Sequence, residues 1–201
     1  MITGPKYKRA RRLGASVYDK TQTQKFAMRS SSKDAGKKRR AGSDFGLQLI
    51  EKQKARFTYG LREQQFKNLV EKVQSKRGVD INEALVQALE RRLDNTVYRL
   101  GFASSRQAAR QMVNHGHINV NGRRNTIPSF QVSIGDVITI RDGSKKKALF
   151  NNIDEKIKEQ TVPSWLAFNK EKMEAKVQGL PKIPTNELSF DVSNIFQYYN
   201  R

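Results

Sequence analysis

RRLDNTVYRLGFASSRQAARQMVNHGHINVNGRRNTIPSFQVSIGDVITIR, residues 91–141, is the stretch on which the fold turns. It reads as helix, turn, helix, hairpin, strand. Gly101 follows Val97 and Leu100 and is placed to end the first helix in a left-handed cap. Ser104, with Gln107 three residues on, has capping-box spacing and is expected to open the second helix. Within it Ala108 and Met112 fall on one face, beside Ala109 and Val113, while Arg106 and Arg110 share the other. Gly116 closes it. His117–Val120 alternates polar and apolar, and Asn121-Gly122 is a strong hairpin signal, with Arg123 and Arg124 leaving the turn. After the turn at Gly135-Asp136, Val137–Arg141 is expected to be a strand.

A helix with one apolar stripe must dock, and here the preceding helix and the small sheet offer the surface. Docking is expected to hold Arg106, Arg110, Arg123 and Arg124 on the outside as one rigid set. Rigid guanidinium groups match the spacing of phosphates along a nucleic-acid groove. Arg91, Arg92 and Arg99 flank the set, although Arg92 could pair instead with Asp94 or Glu90.

Residues 104–136, SSRQAARQMVNHGHINVNGRRNTIPSFQVSIGD, resemble the S-four RNA-binding domain, an alpha-L-type fold. SDFGLQLIEKQKARFTYGLREQQF (Ser43–Phe66) and WLAFNKEKMEAKV (Trp165–Val177) resemble the ribosomal S-four family, so the resemblance runs from Ser43 towards the end of the chain. The expected class is α+β. A helical N-terminal domain would be completed by the C-terminal segment. Beside it would stand an alpha-L-type domain of helices and a small antiparallel sheet. The expected organisation is a basic arm over 1–42, a helical domain over 43–90 with 178–201 packing back on it, the RNA-binding domain over 91–155, and its C-terminal part with the linker over 156–177.

Charge points the same way. Of 201 residues, 39 are Lys or Arg and 19 are Asp or Glu, a formal charge of +20. Residues 1–60 hold 16 cations against 4 acids and residues 91–147 hold 11 against 3, whereas 61–90 and 148–201 are balanced. The whole surplus therefore lies in two blocks, a pattern suited to a polyanion whose counterions are released on binding. Lys37, Lys38, Arg39 and Arg40 form a dense run in the arm, and Lys52, Lys54, Arg56 and Arg62 extend this second basic set. Tyr7, Tyr18 and Phe26 are interleaved and could either stack on bases or anchor a small fold.

Chain order supplies the rest. Asp44–Phe57 reads as a helix with Leu47 and Ile50 on its apolar side, and Leu61–Arg77 as a second with Phe66, Leu69, Val70 and Val73 at core spacing. Asp80 with Glu83 opens a third, on which Leu85, Leu89 and Leu93 recur; it is expected to run unbroken to Leu100 as a stiff connection between two basic faces. Phe150–Glu159 could form a further helix, and Val162–Trp165 reads as extended. Gly179–Pro184 is a linker, and Asn186–Arg201 a short helix or strand.

Catalytic chemistry finds little support. G-x-S-x-G, P-loop and HExxH spacings are absent, and Asp154-Glu155 lies in solvated, charge-balanced sequence. His115-Gly-His117 lacks further nearby ligands, so His117 is read as a hydrogen-bonding or stacking group at the edge of the RNA face, and Asn121 as a turn residue first. Some relatives in the resembled family bind zinc through cysteines near the N-terminus; this chain has no cysteine, so no metal and no cofactor are expected. No apolar run reaches the roughly 20 residues that span a membrane, and the N-terminus lacks a secretory apolar core, leaving a ribosomal arm or an organellar transit peptide as its readings.

The resemblance implies a structural constituent of the small ribosomal subunit. It would bind small-subunit ribosomal RNA at a junction in the 5′ domain, nucleate assembly of the body and bear on decoding accuracy. Protein S-five is the implied neighbour, its own messenger RNA a further implied partner, and a bacterial cytoplasm the implied location. Neither membrane nor small-molecule substrate is expected. The alternative is an RNA-modifying enzyme or stress-response RNA-binding protein carrying the same domain, for whose catalytic domain residues 142–201 leave little room.

Overall fold

The computed structural model describes residues 5–14, 17–24, 26, 42–145, 147, 150, 162–169, 172–184 and 187–200. The chain divides into two compact units, Met1–Leu85 with Ile183–Arg201, and Val86–Lys182.

In the first unit, α1 (Lys6–Leu13) stops at Gly14, whose φ of 66° is the left-handed cap. A single 3-10 turn follows at Asp19–Thr21, where the Thr21 hydroxyl donates to the Tyr18 carbonyl at 2.7 Å. Ala10, Leu13, Val17 and Tyr18 are buried together, with Phe26, Ile50 and Phe57 packed on them. Tyr18 is thus an anchor of a small fold and is not presented for stacking on bases; Tyr7, half exposed, lies 5.9 Å from Phe26. The run Lys37–Arg40 lies outside the described residues.

α2 (Asp44–Thr58) is capped by Ser43, whose hydroxyl accepts from the Gly46 amide at 3.3 Å. Its buried residues are Gln48, Lys52 and Ala55, and Leu47 is 51% exposed, so its inward face is not the one that Leu47 suggested. The reason is the partner laid on it. α3 (Glu63–Gln74) buries Phe66, Val70 and Val73, with Leu69 half-buried. α4 (Ile81–Glu90) runs across the division between Leu85 and Val86, with Leu85 buried before it and Leu89 after it.

In the second unit the helix expected to continue to Leu100 is interrupted. Arg92 is extended (φ −65°, ψ 135°) and bridges to Gln131; Leu93 N–H donates to the Phe130 carbonyl at 2.8 Å, and Val132 N–H to the Arg91 carbonyl at 2.9 Å. A strand-like pairing captures the backbone that an uninterrupted helix would have used, so there is no single stiff rod over 81–100. α5 (Leu93–Arg99) then runs to Leu100, and Gly101 has φ 78°, as its position in the sequence requires. α6 (Arg106–Asn114) is capped by Ser105, not Ser104: the Ser105 hydroxyl accepts from Ala108 N–H at 3.2 Å. Ala109, Met112 and Val113 are its buried stripe.

β1 (Ile118–Val120) and β2 (Arg123–Asn125) form the hairpin, with φ 51° at Asn121 and 75° at Gly122, the two positive values a tight primed turn demands. β3 (Val137–Ile140) is followed by one helical turn, α7 (Asp142–Lys145). β4 (Leu166–Asn169) and β5 (Glu174–Val177) form a second hairpin that the sequence reading did not resolve. The five strands form one antiparallel sheet in the order β2-β1-β3-β5-β4. Trp165 is 5% exposed and packs within the core that also holds Leu93, Val97, Phe102, Val113, Ile118, Ile138 and Phe150. Beyond Phe150, the expected helix 150–159 lies outside the described residues, as do Asp154 and Glu155.

The C-terminal segment is helical: α8 (Val192–Tyr199), capped by Asp191. It lies along α2 in the first unit. Gln48 Nε2 donates to Gln197 Oε1 at 3.1 Å, Asp191 N–H donates to Glu51 Oε2 at 2.8 Å, and Phe45 stacks on Tyr198 at 5.5 Å. Lys52 is buried beneath, its Nζ 4.3 Å from the Tyr198 ring centroid and 2.6 Å from Glu63 Oε1. Glu63 also accepts from the Tyr199 hydroxyl at 3.0 Å.

Two outcomes follow for the first unit. Phe66→Ala should cost about 3–5 kcal/mol in a urea titration, since Phe66 is fully buried. Burial alone would raise the Glu63 pKa, but hydrogen bonds from Lys52 and Tyr199, with the charges of Lys52 and Arg56, hold it below 4.5. A lowered folded-state pKa contributes stability above the unfolded value that is lost as pH falls through the folded one. Glu63→Gln should therefore lower the urea midpoint at neutral pH and flatten its decline below about pH 4.5.

Candidate nucleic-acid interface

α5 is short and nearly all inside: Leu93, Asp94, Asn95, Thr96 and Val97 are buried. Three consecutive polar side chains within a buried helix must find partners: the Thr96 hydroxyl donates to the Arg92 carbonyl at 3.0 Å, and Asp94 and Asn95 find arginine side chains. Arg92 donates Nε to Asp94 Oδ1 at 3.1 Å and Nη2 to Oδ2 at 2.9 Å. Arg110 donates Nε and Nη2 to Asp94 Oδ2 at 2.9 and 2.7 Å. Glu90, with no exposed surface, takes Arg99 side-on, Nε to Oε2 and Nη2 to Oε1, both at 2.9 Å. Asn95 links the two levels: its Nδ2 donates to Glu90 Oε2 at 2.8 Å, and its Oδ1 accepts from Arg106 Nε at 2.8 Å. The Arg106 guanidinium lies over Tyr98, 4.5 Å from the ring centroid.

The expectation that Arg106 and Arg110 stand free on the outside is corrected by this geometry. They are half-buried, on the face of α6 that meets α5, and are drawn inward by Asp94 and Asn95. The same helical spacing that sets them on one face aims them at those acceptors. Arg91 donates Nε to the Val132 carbonyl at 2.7 Å and staples the interrupted helix. Arg92 does pair with Asp94, the option its sequence position left open. Arg123 and Arg124 are the exposed pair, on β2. Arg124 reaches back to donate Nη2 to the His115 carbonyl at 3.3 Å and covers Gly116, where φ is 70° and any Cβ would run into its guanidinium. The hairpin tip is held from the next turn. Asn121 Nδ2 donates to Asp136 Oδ1, and Val137 N–H donates to Asn121 Oδ1, both at 2.8 Å, so this amide is committed to the turn.

His117 is a second correction. It is 8% exposed, with Nδ1 2.9 Å from the Ser144 hydroxyl and its ring edge-on to Phe150 at 6.1 Å. It is a hydrogen-bonding group of the interior: it precedes β1, outside the strand's alternation, and is buried where the Ser144 hydroxyl and the Phe150 ring meet it. Around it gather cations: burial lowers its pKa below 6.5, and the charges of Lys147, His115, Arg124 and Arg141 push the same way. Lys147 and Arg141 were missed by motif reading, and exposed His115 was read only as a metal-ligand candidate; the three converge only through the chain reversals at Gly116 and α7.

In the first unit the basic set divides too. Lys52 is buried against Glu63 and Tyr198 and is unavailable to a phosphate. Lys54 pairs with Glu51 at 2.7 Å, and Arg56 Nε lies 2.9 Å from Gln53 Oε1 and 3.4 Å from Glu63 Oε2. Arg62 is exposed at the start of α3. Asn95 escaped the sequence reading, and Glu90 entered it only as an alternative partner of Arg92, not as the acceptor of Arg99. The detectable signal was Asp94-Asn95-Thr96 set between Leu93 and Val97, polar residues on a helix too apolar to leave them in water.

Comparison with known proteins matches this architecture in two pieces. A family model described as the Ribosomal protein S4/S9 N-terminal domain matches residues 1–90, and one described as the S4 domain matches residues 91–138. The chain is 41% identical over 202 residues to a protein of Chloroflexus aurantiacus named small ribosomal subunit protein uS4, covering 98% of both. Proteins of that name from Thermoanaerobacter sp. and Lactiplantibacillus plantarum are 42% and 43% identical over 206 residues, covering 99% of this chain and 98% of each of theirs.

Because the folded-state pKa of His117 lies below the unfolded 6.5, its neutral form contributes stability above that value that is lost as pH falls towards the folded pKa. Thermal unfolding should show the midpoint dropping as pH is lowered below about 6.5, and His117→Gln should remove that part of the slope.

Proposed function

The chain belongs to the small ribosomal subunit protein uS4 family, and from that premise we propose how it acts on RNA. It is a structural constituent of the small ribosomal subunit and binds small-subunit ribosomal RNA. In our reading it binds a helix junction in the 5′ domain early, nucleates assembly of the body, and bears on decoding accuracy. Residues 1–42 act as a basic arm that presents the run Lys37–Arg40 to RNA. Residues 43–90 with 178–201, and residues 91–155 continued by 156–177, act as the two folded parts, the latter carrying the principal contact surface. The charge-balanced C-terminal segment is the side offered to a protein neighbour, S-five. Messenger RNA is a further RNA partner, and the place of action is the ribosome in a bacterial cytoplasm.

The observation that carries this reading is the arrangement around α5 and α6. Arg99, Arg106 and Arg110 are held in fixed geometry, and Arg123 and Arg124 stand exposed on the neighbouring hairpin. Folded RNA is recognised chiefly through shape and backbone, for which an array of fixed planar forks is suited. An RNA-modifying role is not favoured, because the relatives matched over nearly their whole length carry the ribosomal name. No helix among the described residues is long and apolar enough to cross a membrane.

Titration of the full chain against a 5′-domain fragment of bacterial small-subunit ribosomal RNA tests it. Binding should saturate at one protein per RNA without turnover. With 6–10 phosphates engaged, affinity should fall about 10³–10⁵-fold between roughly 50 and 200 mM salt. Changing both Arg123→Ala and Arg124→Ala should weaken binding and make the log–log salt slope shallower by about two. A flat salt dependence, or a modified base in the recovered RNA, would remove the reading.

A further inference from the structure

We propose that Asp94 and Glu90 are positioning residues for RNA recognition: two buried carboxylates that raise affinity for a folded polyanion by fixing Arg110, Arg99 and, through Asn95, Arg106. The inference rests on the RNA-binding reading above and adds residues of the opposite sign to it. Their charge alone argues against such a role. A carboxylate beneath a basic face repels phosphate, and Coulomb's law makes its removal favourable to binding. The geometry argues the other way.

An arginine side chain in water samples many rotamers, and ordering one on a phosphate costs about 0.5–1.5 kcal/mol for a flexible side chain. Here that ordering is done when the protein folds. Asp94 is 3% exposed and Glu90 has no exposed surface, so neither carboxylate can swing away. Asp94 takes Arg110 through two donors and Glu90 takes Arg99 through two. Asn95, itself anchored on Glu90, holds Arg106 by Nε while Tyr98 supports the guanidinium plane. The three arginines remain only half-buried, so the heads are fixed but not sealed in. A guanidinium carries five donors, and a carboxylate met side-on takes two of them. The part of each head that remains at the surface can meet a phosphate while the ion pair beneath it stays in place.

The experiment separates preorganisation from bulk charge by sign. Asp94→Asn and Glu90→Gln are prepared in the full chain and titrated against the 5′-domain RNA fragment and against an unstructured RNA of equal length. Active fractions come from stoichiometric titration, and salt slopes are measured for each. The inference expects Asp94→Asn to bind the folded fragment about tenfold more weakly, with a slope shallower by about one as Arg110 no longer docks in register. It expects the unstructured RNA to be bound as tightly as by the unaltered chain, or tighter. It also expects Asp94→Asn added to Arg110→Ala to cause little further loss, because the acid acts through that arginine. Equal or tighter binding of the folded fragment by the properly folded variant overturns the inference, as does a loss that falls equally on both RNAs. If Asp94→Asn does not fold, Asn95→Ala decides the matter with the same readouts, since it withdraws the Arg106 acceptor and one donor to Glu90 but leaves both carboxylates in place. If the unaltered chain fails to bind the fragment, the RNA-binding reading itself falls and takes this inference with it.

Discussion

The second unit depends on an ionic arrangement in which two carboxylates, Glu90 and Asp94, sit inside the protein and face guanidinium groups on several sides. Removing a carboxylate from water costs several kcal/mol before any partner is counted. It is tolerated here because each oxygen is met by donors at 2.7–3.1 Å, from Arg92 and Arg110 on one acid and from Arg99 and Asn95 on the other. Such an arrangement adds little net stability compared with a well-packed apolar core. What it does provide is a unique geometry. Arg92 can meet Asp94 only if the backbone is extended at 92, which is also the point where Gln131 pairs and the helix is interrupted.

That interruption explains where the sequence misled. Leu85, Leu89 and Leu93 recur as on one continuous helix, and all three are buried, so the periodicity was sound and only the continuity was not. Nothing local marks the break: residues 90–93 contain neither glycine nor proline. The competing interaction comes from Phe130–Val132, some forty residues away, which a window of helical spacing does not see. By contrast, Gly101, Gly116 and Asn121-Gly122 were legible because a positive φ is a local demand that few residue types meet.

The candidate site divides by the same criterion. Arg123 and Arg124 follow from a turn and lie where the turn puts them. Arg106 and Arg110 were correctly assigned to one helix face, but the bonds that draw them inward were not foreseen, since these depend on what the neighbouring helix offers. Lys52 is the clearest case of this. It looks like one of several cations crowding the end of α2, yet it is buried against Glu63 and two tyrosines that arrive from the far end of the chain. Its position was unreadable without knowing that α8 lies on α2.

These placements change what the formal charge of +20 means. Cations that look interchangeable in a composition fall into distinct kinds of work. Lys52 and Arg92 are interior partners of acids, and Arg91 staples backbone. Arg99, Arg106 and Arg110 face both ways, held by protein acceptors yet partly exposed. The middle group suits arginine better than lysine. A lysine ammonium is a compact point charge whose three donors fan from one nitrogen, so closing on a buried carboxylate does not fix the direction in which the rest point. The guanidinium is a plane with several edges, so one edge can be committed to the fold while the head stays at the surface. In residues 91–141 every cation is an arginine, and lysine enters the block only at 145–147, past the last strand of the hairpin region. A surface built for charge alone would have no reason for that choice, whereas one built to hold its cations in register would.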